Sequence, residues 1–253
     1  MSKFKGKRAL VVGFGKTGIS VARYLVKQGA KVTVTDTRQK SELTDAVNFC
    51  AELKLEYDLG NHSDRVFEAA EMVVVSPGVP PSLPQLTNPR DRKIPITGEI
   101  ELAASAIKEP IITVTGSNGK TTVTTLIGEM FKADQKSAFV GGNIGKPLLD
   151  YVTDGHKADY VVAELSSFQL DQTTRLVPAV AVFTNIEENH LDRYPSMEVY
   201  VESKKRLLRA CDRNSYVVLN YDNALTRQFA IENVAKLMWF TNQNPMLLGG
   251  EFA

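Results

Sequence analysis

Only two cysteines and three histidines occur among the 253 residues. Cys50 and Cys211 lie far apart, with no Cys or His at metal-ligand spacing. That argues against a thiolate metal site or a disulfide framework and suggests buried, reduced thiols of a cytoplasmic protein. A surplus of one charge is missing too. Thirty Lys and Arg face 29 Asp and Glu, so no bulk field draws the chain to nucleic acid or an anionic membrane. Any phosphate must be held by local geometry. No apolar run approaches the roughly 20 residues of a membrane span, and the apolar stretch in "MSKFKGKRALVVGFG" is too short for a signal peptide and breaks at glycines. Internal repeats and low-complexity segments are absent as well. With 43% apolar and 23% charged residues, the chain has the profile of a globular protein large enough for a sizeable core, in one large domain or two ordinary ones.

Short β-branched runs fall at 8–14, 31–36, 72–78, 111–116, 160–165, 179–185 and 215–220. Most are apolar at successive positions, as in strands of a parallel sheet covered on both faces. Helical patterns lie between them at 17–28, 42–53, 119–132 and 197–211. Strand and helix alternating in this way predict an α/β fold of open, doubly wound sheets. Two strand–glycine–helix openings, at 10–18 and 112–120, favour two domains, with the join near "AIKEPI" (106–111). The predicted division is 1–107, Rossmann-like, and 108–253, an ATP-binding domain built on a phosphate loop.

The first opening, "GFGKTG" (13–18), follows a strand, precedes a helix and has Asp36 at the end of the next strand. Glycines there permit a tight turn and close backbone approach, and the helix N-terminus attracts phosphate. A turn that binds nothing would look the same. Thr37 and Arg38 add donors that could read a base or a phosphate. Ser76 and Gly78, in "SPG", end a further strand on what would be the same crevice, unless they form a plain Pro-Gly turn.

The second opening, "TGSNGKTT" (115–122), is a shortened phosphate loop. Gly116, Ser117, Asn118 and Gly119 turn the chain, and Lys120, Thr121 and Thr122 open a helix. Backbone amides and the helix dipole can cradle phosphates, the lysine supplies a movable charge, and Thr121 stands where a hydroxyl ligand to Mg²⁺ is expected. Acidic and imidazole groups follow other strands: Glu164 with Ser166 in "AELSSFQL", and His190 in "NIEENHLDRYP", where Glu187 and Glu188 read as a solvated loop. His190 is either structural or a ligand. In "SMEVYVESKKRLLRAC" the apolar stripe formed by Met197, Tyr200, Val201, Leu207, Leu208 and Cys211 has Lys204 near its centre and Lys205 at its edge. Lys204 either snorkels out or carries an unusual protonation state or modification.

Taken together, "GFGKTG", "DTR" (36–38), "SPG", "TGSNGKTT", "GGNIGKP" (141–147), "ELSSFQL" (164–170), "ENHLDRY" (188–194) and "YVESKKRLL" (200–208) resemble the Mur ligase family over nearly all of 1–240. Loop, "ELSS" and "HLD" are shared with folylpolyglutamate-type ligases, whereas "DTR" with "SPG" is similar to the D-glutamate-adding branch. The resemblance implies an ATP-dependent ligase of peptidoglycan precursor synthesis in the bacterial cytoplasm. It would add D-glutamate to UDP-N-acetylmuramoyl-L-alanine through an acyl phosphate and work as a monomer, without nucleic acid or membrane partners. It also implies that Gly15, Lys16, Thr17, Thr37, Arg38, Ser76 and Gly78 bind UDP rather than NAD. Residues 116–122 would hold ATP, with Lys120 on its phosphates. Thr121 and Glu164 would hold one Mg²⁺, with the substrate-facing Ser166 close by. His190 would hold a second together with Lys204 as a carbamate, and Asn143 matches a substrate-contacting position. By the same resemblance the run after 240, "TNQNPMLLGGEFA", looks like a cut chain that lacks the C-terminal ligase domain and would not turn over alone. Three other readings stay open: another Mur-type or folylpolyglutamate-type ligase with a different acceptor, a UDP-sugar-binding fragment without chemistry, and a nicotinamide oxidoreductase resting on "GFGKTG" alone.

Overall fold

The structure, a computed structural model, describes residues 2–243. The described residues divide into two compact units, one comprising the residues up to 103 together with 149–156, the other 104–148 and the residues from 157 onward.

The first unit holds five parallel strands: β1 (Arg8–Val12), β2 (Lys31–Asp36), β3 (Glu56–Leu59), β4 (Met72–Val75) and β5 (Ile96–Thr97), in the order β3-β2-β1-β4-β5. The helices in this stretch are α1 (Lys16–Lys27), α2 (Thr44–Leu53), α3 (Asp64–Ala69), α4 (Thr87–Asp91) and α5 (Glu99–Ala104). All four residues of β4 are buried, as are the last four of β1, as expected of central strands covered on both faces. On one face Leu10, Val12, Val73 and Val75 pack against Val66, Phe67 and Leu86. Burying a side chain such as Phe67 stabilises by about 2–3 kcal/mol. Because β2 and β4 flank β1, the chain reverses its strand order there, and the turns after β1, β2 and β4 meet at the carboxyl edge, where such sheets take their ligands.

Among the described residues the second unit has six parallel strands, β6 (Ile111–Thr115), β7 (Ala138–Gly142), β8 (Tyr160–Glu164), β9 (Val180–Phe183), β10 (Tyr216–Asn220) and β11 (Lys236–Phe240), in the order β11-β10-β9-β6-β8-β7. Helices α6 (Lys120–Ala133), α8 (Ser167–Leu170), α9 (Met197–Ala210) and α10 (Ala224–Glu232) accompany them, and α7 (Leu148–Asp154) precedes β8 in the chain. Strand β6 is wholly buried. Its two inward threonines are satisfied, Thr113 donating to the Val180 carbonyl (3.1 Å) and Thr115 to that of Leu165 (2.8 Å). The second switch of strand order thus falls at β6, immediately before the phosphate loop.

All seven expected strand runs and the four helical patterns form, and residues 236–240 add β11. Sequence periodicity did not expose β3, β5 and β7. β3 is a half-exposed edge strand, β5 has two residues, and β7 ends on two glycines. The expected join lay at 107/108, and the units divide at 103/104. Residues 149–156 group with the first unit, where Asp150 accepts from Ser20 and Arg23 and the Leu149 amide donates to the buried Glu99 carboxylate. The expected cut-chain run lies, from residue 244 onward, outside the described residues. Cys50 and Cys211 are buried free thiols, as expected.

Candidate active site

In the second unit β6 delivers Gly116 at φ +152°, where a Cβ would sit 1.9 Å from the Thr184 hydroxyl. Only glycine lets the backbone pass that close. The loop is then fastened to the segment after β9. Ser117 N–H donates to the Asn185 carbonyl and Asn118 N–H to Asn185 Oδ1 (2.9 Å each). Thr184 Oγ1 and Asn185 Nδ2 both donate to the Asn118 carbonyl (2.6 and 3.2 Å). With those amides engaged, the donors left for a phosphate are the N–H groups of Gly119 and the first turn of α6, which have no partner within the helix.

Lys120 folds back on its own loop, Nζ donating to the carbonyls of Gly116 (3.1 Å) and Ser117 (2.9 Å). Burial lowers its pKa, with the Glu164 charge opposing. At the end of β8, Glu164 is 1% exposed. One carboxylate oxygen accepts from Thr121 Oγ1 (2.7 Å) and the other from Asn143 Nδ2 (2.8 Å). A buried carboxylate beside a hydroxyl is the hard oxygen donor set that suits Mg²⁺. Among the described residues no group of three His, Cys, Asp or Glu side chains could hold a metal, so a cation here would lean on Thr121 and on substrate oxygens.

Lys204, on α9, is also 1% exposed. It does not snorkel: Nζ donates to the Gly116 carbonyl (2.8 Å), reaches toward Thr115 Oγ1 (3.5 Å) and lies 4.8 Å over the Tyr200 ring. Burial, helped by the charge of Lys120 and opposed by Asp171, brings it from an ordinary 10.5 to about 7. Two lysine amino groups therefore share one loop carbonyl. Lys205, one position on, pairs with Glu232 and Glu202 instead.

His190 adopts φ +57°, held by its N–H donating to Asn189 Oδ1. Its ring lies against Phe168 (4.9 Å) and edges Tyr200 (6.2 Å), so His190 and Lys204 meet the same tyrosine. Burial lowers the imidazole pKa, Asp192 opposing and Lys204, Lys120 and Arg193 reinforcing. Ser166 does not join the Glu164 cluster; it caps α8 in a reciprocal pair with Gln169. Thr122 is exposed on α6. Sequence reasoning missed Asn185, Thr184 and Glu187, which no local pattern marks.

In the first unit Gly15 is the N-cap of α1 and supplies no side-chain cap. The Arg38 guanidinium lies 4.0 Å from where a Gly15 Cβ would stand. Arg38 is fixed by a two-pronged pair with Asp36 (2.9 and 2.8 Å), whose carboxylate also accepts from Phe14 N–H (2.6 Å). Burial alone would raise the Asp36 carboxyl, but Arg38 and the Phe14 amide outweigh it and hold it at about 2. Both oxygens are thereby committed, which leaves Asp36 no acceptor for the ribose hydroxyls of a dinucleotide. Ser76 Oγ donates to the Gly13 carbonyl (2.9 Å). Lys16 and Thr37 are exposed, Thr17 is half-buried, and the space around Gly78 is open.

Residues 7–98 match the family model of the Mur ligase MurD-like N-terminal domain, and residues 114–245 that of the Mur ligase middle domain. Among curated proteins the chain is similar to the UDP-N-acetylmuramoylalanine--D-glutamate ligase of Geotalea daltonii, at 44% identity over 98% of this chain and 54% of the relative. It is 45% identical to the ligase of the same name from Geobacter sp., over 93% of this chain and 52% of the relative. The chain spans about half the length of the curated relatives it matches. Solved structures share the fold. One is a UDP-N-acetylmuramate:L-alanyl-gamma-D-glutamyl-meso-diaminopimelate ligase from Neisseria meningitides, with TM-score 0.63 at 15% identity over 93% of this chain and 78% of that one. Another is UDP-N-acetylmuramate-alanine ligase MurC from Thermotoga maritima, with TM-score 0.54 at 21% identity over 92% and 52%.

Proposed function

The chain belongs to the Mur ligase family, and from that premise we propose that it supplies the nucleotide-sugar and ATP-phosphate domains of a ligase joining D-glutamate to UDP-N-acetylmuramoyl-L-alanine. The observation that carries this reading is the convergence at Gly116: Lys120 and Lys204 on its carbonyl, and the Thr121–Glu164 pair beside the same loop.

The uridine diphosphate binds at the α1 N-terminus, where amides from Gly15 onward and the Arg38 guanidinium face one place; Lys16, Thr17, Thr37, Ser76 and Gly78 complete that rim. ATP phosphates lie on the Gly119–Thr122 amides, and Lys120 swings from the loop carbonyls onto them. The L-alanyl carboxylate attacks the γ-phosphate, giving an acyl phosphate and ADP. The D-glutamate amine then attacks the acyl carbon and phosphate departs. Thr121 and Glu164 would hold one Mg²⁺, and His190 with a carbamylated Lys204 a second. Bound there, the cations offset charge on the transferring phosphoryl group. As an ammonium Lys204 can only donate, whereas a dry pocket that favours the neutral amine suits reaction with CO₂. Asn143 both steadies Glu164 and borders the substrate. The setting is the cytoplasm.

Lys120→Ala in the full-length protein should lower ATP-dependent phosphate release at least about a hundredfold, the scale of losing a charge-stabilising donor. Near-normal release would sink the assignment. A second reading, for this chain on its own, is binding of UDP without turnover. Calorimetry with UDP beside a turnover assay separates the two.

A further inference from the structure

Glu187 read as part of a solvated loop, and its carboxylate is exposed, yet its whole residue is tied to the phosphate loop. Ser117 Oγ donates to the Glu187 carbonyl, Glu187 N–H donates back to Ser117 Oγ (2.9 Å each), and Asn118 Nδ2 donates to Glu187 Oε2 (2.8 Å). Asn118 is the last side chain before Gly119, whose φ of +77° opens α6. Its main chain is pinned by Thr184 and Asn185, so only the side-chain amide is left to choose a partner. That partner is an anion, set beside the amides that take a phosphate.

We propose that Glu187 is a positioning residue of the phosphate loop, acting through Asn118. The carboxylate draws the Asn118 amide aside, which keeps the Gly119 N–H and the α6 first turn accessible, and steadies the turn that aims them. Two opposing effects follow. The hydrogen bond organises the loop and favours polyphosphate, while the negative charge repels it. The proposal rests on the reading of residues 116–122 as the ATP-phosphate site.

Glu187→Gln keeps an acceptor for the Asn118 amide and removes the charge; Glu187→Ala removes both. Magnesium tripolyphosphate binding to this chain, measured by calorimetry, is the readout, because that probe needs no adenine contacts. Glu187→Gln should bind more tightly than wild type, and Glu187→Ala about fivefold more weakly than Glu187→Gln, the worth of one neutral hydrogen bond. In an Asn118→Ala background the difference between the two should vanish, with the thermal midpoint of every variant within a few degrees of wild type. Equal affinity for Glu187→Gln and Glu187→Ala, or a difference that persists without Asn118, would overturn the proposal. Lys120→Ala tests the underlying reading separately. If wild type binds the probe and Lys120→Ala binds it equally well, the phosphate-site assignment fails, whatever the Glu187 series shows.

Discussion

Lys204 is an ionisable side chain at a position where an apolar one would pack, and its stability consequences have a definite sign. Its folded pKa, about 7, lies below the ordinary 10.5. Below about pH 7 both folded and unfolded chains hold the proton, and the buried charge opposes folding in full. Between the two values the unfolded chain holds more protons, so this contribution makes stability rise with pH. Lys204→Met should abolish that rise and stabilise the fold by about 1–4 kcal/mol near pH 6, the range found when buried charges give way to apolar groups. Urea denaturation of both proteins at several pH values would show it, and parallel pH profiles would count against a charge buried there. In the full-length enzyme Lys204→Ala should lose activity that added short carboxylates partly restore; indifference to both would remove the carbamate assignment. The helical stripe around Lys204 was legible in the sequence, because 3.6-residue periodicity is a local property. What the lysine touches was not: its partner carbonyl belongs to Gly116, on another element.

At the level of elements, the β6–α6 turn works as one piece with the segment after β9. A Cβ at Gly116 would collide with Thr184 in a backbone conformation that side chains rarely adopt. Gly116→Ala should therefore weaken magnesium tripolyphosphate binding at least about tenfold, since such strain costs on the order of 1–3 kcal/mol. Unchanged binding by calorimetry would mean that the loop is not the phosphate site. The glycines and the Lys-Thr helix opening announced this turn, as "GFGKTG" announced the other. Periodicity found the strands that are buried on both faces and passed over the edge strands β3 and β7, where burial is partial. Asp36 shows a subtler gap. It stands where a dinucleotide fingerprint wants an acid, yet Arg38, two residues on, and the Phe14 amide consume it. Spacing gives an acid's position and says nothing of its free lone pairs. Glu187 was opaque for the same reason, being exposed by composition and tied by tertiary contact.

Across the whole molecule, two parallel sheets each carry a proposed phosphate anchor at a reversal of strand order, and each anchor belongs to its own compact unit. Arg38→Ala should weaken UDP binding about tenfold, the worth of a charge-assisted contact, and leave tripolyphosphate affinity unchanged; Lys120→Ala should do the reverse. Calorimetric titration of both ligands into both variants checks this, and a substitution that disturbs both ligands equally would point to unfolding rather than to separate anchors. The all-parallel topology has a kinetic corollary. Strand β6 takes no neighbour from the residues adjacent to it in the chain: Thr113 pairs with Ala163 on one side and Ala181 on the other. Such distant pairings must pay loop-closure entropy before they gain contacts, which makes refolding slow. A ribosome that has finished "TGSNGKTT" has thus made the letters of a phosphate loop but not yet the loop. Its shape arrives only when β9 and the residues after it emerge, because Thr184 and Asn185 are what hold the turn in place.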